Sequence, residues 1–387
     1  MYKIKLLNKI SPAGLAQVDA SRFMCSEEID NPDAIIVRSA DMHSLELPKS
    51  VACIARAGAG TNNIPINKCS ENGVVVFNTP GANANAVKEL VLCALLLSSR
   101  RIVDSILWAK TLSGKGEDVP KLVEKGKSDF TGPELEGKRI GVIGLGAVGA
   151  MVANTAVSLG MEVLGCDPYL SVDAAWRLSR AVTKATKKTI YETCDYISIH
   201  VPLNPETKGE FDASVFSSMK KGMRLINMSR GELVSSADLK DALESGIISC
   251  YVTDFPDEEV LALKNVVAIP HLGASTPESE DNCAVMAVNE VSDFLTSGNI
   301  HNSVNMPDAE LERSASYRLC IIHKNIPNML GQITNAMAEN GINIENMLNR
   351  SKKDYAYTII DTDTEVDSSI TGRVRGVDGI ISVRVIR

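Results

Sequence analysis

The chain has 387 residues, 44% of them hydrophobic, which excludes a small stapled scaffold and a disordered chain and predicts roughly two to four domains. Forty Lys and Arg against 48 Asp and Glu leave a net charge of −8, which argues against a nucleic-acid or anionic-membrane surface. The nine cysteines lie far apart without the close pairings of zinc or redox sites, so free thiols in a reducing cytoplasm and no metal are expected.

The N-terminal residues Met1 to Asn8 lack the long apolar core of a signal peptide, and no stretch approaches about 18 uncharged apolar residues, so a soluble protein that stays where it is made is expected. The first ninety residues alternate short apolar runs, 4–7, 34–37, 51–55 and 74–77, with polar helix-like pieces, the rhythm of βαβ units. Residues 86–109 then predict one long helix, with Val87, Leu90, Val91, Ala94 and Leu95 on its apolar face. The Gly- and Lys-rich stretch around 114–116 and 124–127 has weak periodicity and is expected to be a loop or an arm.

A second alternating block from Lys138 to about Pro270 predicts six strands, 139–143, 162–166, 196–200, 224–227, 249–253 and 266–269, in a doubly wound sheet. One more helix covers 276–297, and the polar run 301–316 is expected to be a linker. The remaining residues follow the order strand 317–323, helix 328–340, strand 343–349, strand 355–361, helix 366–374 and strand 380–386. That βαββαβ order is ferredoxin-like. The expected fold class is therefore α/β, with two Rossmann-like domains and a ferredoxin-like tail. The expected divisions are 1–88 completed by 278–305, an inserted domain 89–277, a linker 306–316 and the tail 317–387.

The strand 139–143 runs into Gly144-Leu145-Gly146-Ala147-Val148-Gly149, which opens a helix over 150–159. In such a turn Gly144 permits the tight bend, Gly146 lets a pyrophosphate approach, Gly149 lets helix and strand pack, and the helix N-terminus faces the phosphates at Ala147 and Val148. The next strand ends in Asp167, eighteen residues beyond Gly149. A carboxylate there accepts both ribose hydroxyls and repels a 2′-phosphate, which predicts NAD rather than NADP.

Later segments carry what hydride transfer from a hydroxy acid needs, a base for the hydroxyl proton and a cation for the carboxylate. They are Asn227-Met228-Ser229-Arg230-Gly231-Glu232, Asp254-Phe255-Pro256-Asp257-Glu258-Glu259 and Pro270-His271-Leu272-Gly273. Together with Arg56-Ala57-Gly58-Ala59-Gly60, Asn78-Thr79-Pro80 and His200-Val201-Pro202-Leu203, they make the chain resemble the D-isomer-specific 2-hydroxyacid dehydrogenases from about Ile35 to Val304. Within that family it is similar to the phosphoglycerate dehydrogenases.

The resemblance implies a catalytic trio of Arg230, Glu259 and His271, in which Glu259 orients the imidazole, His271 takes the hydroxyl proton and Arg230 grips the substrate carboxylate. The chain departs from the family's Asp-Val-Phe-x-x-Glu-Pro pattern, having two adjacent glutamates and no proline after them. Counting from Arg230 and Asp254 lands on Glu259, and anchoring on Phe255-Pro256 would choose Glu258. For the cofactor the resemblance adds His200, Val201, Pro202, Thr207, Ser229, Asp254, His271 and Gly273. For the substrate it implies Ala57, Gly58 and Ala59 at the carboxylate, as a nest of backbone N–H groups, with Arg38, Ser39 and Arg56 at a phosphate.

Residues 317–387 resemble an ACT domain, with His323-Lys324-Asn325-Ile326-Pro327-Asn328 and Gly341-Ile342-Asn343-Ile344 carrying the likeness. By that resemblance His323, Asn325 and Asn343 would contact L-serine as an effector between paired tails. Asn328 stands where the pattern has Gly, and Asn tolerates the left-handed backbone that the turn needs. The implied reaction is oxidation of 3-phospho-D-glycerate to 3-phosphohydroxypyruvate with NAD, the entry to serine synthesis, in a homo-oligomer, a dimer or tetramer. The rivals are another D-2-hydroxy acid dehydrogenase, of glycerate or lactate type, and a non-enzymatic NAD-sensing co-regulator.

Overall fold

The computed structural model describes the backbone of residues 1–387 and every side chain but that of Asp173. It divides into two compact units, residues 1–83 with 277–387, and residues 84–276. Among the described residues no helix is long and apolar enough to cross a membrane, and no cluster of His, Cys, Asp and Glu could hold a metal ion. All nine cysteines are free thiols.

In the first unit, strands β1 (Tyr2–Leu6), β2 (Phe23–Ser26), β3 (Ala34–Val37), β4 (Cys53–Arg56) and β5 (Val75–Asn78) form a parallel sheet in the order β2-β1-β3-β4-β5. The run Ala34-Ile35-Ile36-Val37 is buried throughout, as an interior strand covered on both faces requires. One face packs Ile36, Ala55 and Phe77 against Ala287, Val291 and Phe294 of the long helix Pro277–Ser297. The other packs Ile35, Ile54 and Val76 on Met42, Ile64 and Cys69. Strand β2 was not expected, because Phe23 alone of its four residues is buried and Met24 is exposed.

The tail of this unit adds β13 (Tyr317–Lys324), β14 (Asn346–Lys352), β15 (Tyr355–Thr362) and β16 (Ile380–Ile386), an antiparallel sheet in the order β14-β15-β13-β16. Alternate residues serve two cores. Leu319, Ile321 and Ile360 face the tail's own helices through Ile333, Met337 and Val374, while Cys320, Ile322, Tyr357 and Ile386 join the core around Phe294 and Leu295. The tail also caps the C-terminal end of the long helix, whose last carbonyls have no partner within the helix. Arg384 donates to the carbonyls of Leu295 (3.2 Å) and Phe294 (2.5 Å), Arg318 to that of Ser297 (2.7 Å), and the Tyr357 hydroxyl to that of Gly298 (2.7 Å). Arg318 is fully buried and bidentate with the equally buried Asp361, at 2.7 and 2.8 Å. Of the expected linker, Met306 is buried and Ala309 bridges to Ile300, so its first half is part of the packed body.

The second unit is a seven-stranded parallel sheet of β6 (Arg139–Ile143), β7 (Glu162–Cys166), β8 (Thr183–Lys184), β9 (Tyr196–Ile199), β10 (Met223–Asn227), β11 (Ile248–Thr253) and β12 (Val266–Ala268), in the order β12-β11-β10-β9-β6-β7-β8. The two-residue edge strand β8 lies on exposed Thr183 and Lys184, which no apolar pattern marks. The expected single helix over 86–109 is two, Ala84–Arg100 and Ile102–Lys110, broken at Arg101 with φ 44°. The hydroxyls of Ser98 and Ser99 bend back onto the Leu95 carbonyl just before the break, a local competitor to the helix ladder. The stretch expected as a loop contains the helix Val119–Gly126 between two short 3-10 turns, with Pro120 in its first turn.

Candidate active site

The glycine turn sits at the C-terminal end of β6. Gly144 has φ 90°, and a Cβ there would lie 2.5 Å from the His200 carbonyl oxygen; at Gly149 a Cβ would lie 1.9 Å from the Gly144 oxygen. Both close approaches require glycine. Around Gly146, the N-cap of the helix Ala147–Ser158, a Cβ would meet nothing within 4 Å, so the side from which a pyrophosphate would come is open. Asp167 accepts from the Leu145 N–H (2.8 Å) with one oxygen and the Tyr169 N–H (2.9 Å) with the other, which ties the acid to the glycine turn.

The loop after β9 carries His200, Val201 and Pro202. His200 Nε2 pairs with the Ser198 hydroxyl at 2.8 Å, and burial pushes its pKa down to about 4, so the ring is neutral. Thr207 closes this loop on itself through its hydroxyl to the Pro202 carbonyl (2.6 Å) and its N–H to Asn204 Oδ1 (3.0 Å).

At the end of β10 the fully buried Asn227 builds the turn that presents Arg230. Its Nδ2 donates to the Arg230 carbonyl (2.8 Å) and its Oδ1 accepts the Ser229 N–H (3.1 Å), while the Ser229 hydroxyl reaches the Ile199 carbonyl (2.8 Å). At the end of β11, Asp254 is 1% exposed. Its Oδ2 accepts from the Gly273 N–H (3.1 Å), and its Oδ1 is buried without a partner. Burial pushes its pKa up, against the pull of the Gly273 N–H, His271 and Arg230. An orphaned buried acceptor is costly unless a ligand donor completes it, so this position fits the carboxamide of a nicotinamide.

Phe255 lies between the two catalytic candidates. The Arg230 guanidinium sits 5.4 Å from its ring centroid, and the His271 ring packs on it at 4.3 Å and 44°. The structure thus brings Arg230, Asp254 and His271 together around Phe255. It does not bring Glu259 to His271: among the described residues neither Glu258 nor Glu259 has a hydrogen bond or ion pair with the imidazole. Both stand exposed in the first turn of the short helix Glu258–Leu261, whose N-cap is Asp257. Asn204, Asn227 and the stacking role of Phe255 were missed by sequence reasoning; Asn227 stood in the segment already singled out, as a polar residue ending an apolar strand.

In the first unit, Arg38 is paired with Glu280 at 2.7 Å, and Arg56 donates from Nε to the Arg38 carbonyl at 3.1 Å. Asn8, unsuspected from the sequence, gathers the N–H groups of Arg38, Ser39 and Ala40 on one oxygen at 3.4, 3.1 and 2.8 Å. The expected nest is smaller than three donors. The Ala57 N–H continues the ladder to the Val37 carbonyl and that of Gly58 turns onto Arg56, both at 2.8 Å.

In the tail, Asn328 has φ 66°, the left-handed turn expected of it. His323 is buried, with its ring nitrogens on the Lys324 carbonyl (2.8 Å) and the Thr358 hydroxyl (2.9 Å). Asn325 reaches the Lys353 carbonyl (3.0 Å), and Asn343 reaches Glu345 (2.6 Å) at the surface.

Residues 94–273 match the NAD binding domain of the D-isomer specific 2-hydroxyacid dehydrogenases. The chain is 33% identical over 300 residues to a D-3-phosphoglycerate dehydrogenase of Archaeoglobus fulgidus, covering 75% of this chain and 54% of that protein. It is 28% identical over 412 residues to one of Dictyostelium discoideum, covering 99% of this chain and 97% of the other. It therefore spans about half the length of the archaeal relative and nearly all of the second. Among solved structures, the NAD+-bound 3-phosphoglycerate dehydrogenase of Entamoeba histolytica superposes with a TM-score of 0.62 at 24% identity, over 79% of this chain and 98% of that one, which shows a shared fold.

Proposed function

We propose that the chain is a D-isomer-specific 2-hydroxyacid dehydrogenase that oxidises 3-phospho-D-glycerate to 3-phosphohydroxypyruvate with NAD, the first step of serine synthesis, a reading supported by the match of residues 94–273 to that family's NAD binding domain and by the likeness to D-3-phosphoglycerate dehydrogenases. The observation that carries the reading is the grouping of buried Asp254, with one unpartnered oxygen, and the Arg230–Phe255–His271 cluster at the strand ends of an NAD-binding sheet.

Arg230 grips the substrate carboxylate through its planar fork, and His271 takes the C2 hydroxyl proton. When bound, NAD would supply the acceptor for the hydride of C2. Asp254 would hold the carboxamide, Gly146 and the N-terminus of the helix at Ala147 and Val148 would receive the pyrophosphate, and Asp167 would take the ribose. Glu259 is assigned to orient His271, a role that requires its free carboxylate to move to the ring. For the substrate phosphate the reading uses Arg38, which must leave Glu280, together with Ser39 and Arg56; the Ala59 N–H is the donor left to the carboxylate nest.

L-serine is the proposed effector, through Asn325, Asn343 and His323. A homo-oligomer is supported by the helix Ile102–Lys110, which buries none of its residues while Ile106 and Leu107 stand 49% and 60% exposed. Nine free thiols favour a reducing cytoplasm.

Steady-state NADH formation tests the reading, with 3-phosphoglycerate against D-glycerate and D-lactate, each with and without serine. Turnover preferring the phosphorylated substrate supports it. Preference for an unphosphorylated acid, or no NADH from any of them, defeats it.

A further inference from the structure

Between the tail sheet and the five-stranded sheet of the first unit lies a cavity of about 330 Å³ that none of the cofactor, substrate or effector candidates lines. Three basic residues line it: Lys49 from the turn before β4, Arg375 from the last turn of the helix Ser368–Arg375, and Arg384 from β16. No carboxylate lines it, and among the described residues none of the three forms an ion pair.

Two of these cations are fixed in place. Arg384 is held by the helix-end carbonyls of Phe294 and Leu295, and Arg375 donates to the Val383 carbonyl at 2.9 Å. The walls are fixed as well. At Gly73, with φ 68°, a Cβ would lie 2.9 Å from Ser382 Cβ, so the turn before β5 and strand β16 touch where only glycine fits. Ser382 adds a hydroxyl to the lining.

Three like charges around one concave space repel one another and focus a positive potential, in a chain whose net charge is −8. An anion reverses that repulsion, and a dianion meets more of the charge than a halide does. The volume is at the lower end for small-molecule sites and corresponds to roughly ten waters, room for a phosphate on a short carbon chain and too little for a nucleotide.

We propose that this cavity is a binding site for a small phosphate dianion, free or as a short-chain ester, which ties the tail to the five-stranded sheet. The site is separate from the serine contacts and independent of which hydroxy acid is oxidised.

Thermal unfolding of the full chain tests it, titrating inorganic phosphate against chloride at constant ionic strength, then repeating with glycerol phosphate to tell the free ion from an ester. The parent midpoint should rise saturably with phosphate. Lys49→Gln and Arg375→Gln should each weaken the apparent affinity by about tenfold, the loss expected of one well-placed charge contact, and Arg375→Lys should recover part of it. Arg38→Gln, at the candidate substrate phosphate, should leave this response in place. No rise beyond chloride in the parent, a rise unchanged in both Gln variants, or one abolished by Arg38→Gln alone would overturn the proposal.

Discussion

The two parallel sheets of this chain end their strands in different chemistry. In the five-stranded sheet, β3 leads into Arg38 and β4 closes on Arg56, with the Asn8 side chain tying the loop between them. In the seven-stranded sheet, β6 runs into glycines whose backbone lies against the His200 carbonyl and against itself. A backbone site is specified by conformation and close approach, so a few glycines at set spacing suffice to announce it. A side-chain site depends on partners from distant parts of the chain: Arg38 meets Glu280, 242 residues away.

The largest effect that would break this comparison is expected at His271, where His271→Ala should lower kcat by about 10²–10⁴-fold while NAD titration by fluorescence stays near parental. Near-parental turnover would remove the chemistry from the seven-stranded unit. Gly149→Ala comes next. Its Cβ would have to displace the Gly144 carbonyl, 1.9 Å away, so a loss of about 1–3 kcal/mol in urea unfolding is expected, together with loss of NAD binding. A variant that binds NAD normally would show that the turn can give.

The five-stranded side has its own test in Glu290, a buried carboxyl whose Oε1 accepts from Asn302 at 2.9 Å and whose Oε2 has no partner. Burial raises its pKa to about 8, so the folded state holds the proton more tightly than the unfolded chain. Its contribution to stability is full below the ordinary value of 4.5 and is lost as pH rises toward about 8, on the order of 5 kcal/mol. Glu290→Gln should flatten that fall in denaturation midpoints measured across this range. A parallel fall in both proteins would show that the carboxyl does not cause it.

Smaller still, Asp167→Ala should weaken NAD by about tenfold and improve NADP relative to it, since ribose acceptor and 2′-phosphate repulsion go together. An unchanged ratio of the two cofactors' KM values would reassign the acid to the turn it bonds. The smallest effect is expected at Phe255. Phe255→Leu keeps the bulk and removes the face on which the guanidinium and imidazole rest, so a few-fold fall in kcat with a displaced pH profile is anticipated, cation–π contacts contributing about 0.5–1 kcal/mol at exposed sites. An unmoved profile would make the ring mere packing.

What the sequence discloses follows the same division. The strands 34–37, 139–143 and 380–386 coincide with the observed bounds because their apolar runs are continuous or alternate cleanly. Strands β2 and β8 lie at sheet edges, where exposed Met24, Thr183 and Lys184 erase the pattern. The glycine turn and Asp167 were visible as spacing. The Asn8 and Asn227 networks were not, because an asparagine that collects backbone N–H groups looks like any other polar residue until the loops meet. The Arg230 and His271 segments were recognisable by resemblance, whereas the aromatic ring that separates them is a matter of packing.

The two-sided burial of the tail sheet bears on how this chain can be taken apart. Cutting after residue 316 would strip Phe294 and Leu295 of their cover and leave the carbonyls of Leu295, Ser297 and Gly298 without the side-chain donors that now cap them. Water would take up those carbonyls, so the penalty is the apolar surface of Phe294 and Leu295 left uncovered, large for a domain of marginal stability. The last seventy residues are therefore no detachable appendage but part of one cooperative folding block with residues 1–83. A lineage that dropped them would have had to resurface the long helix first.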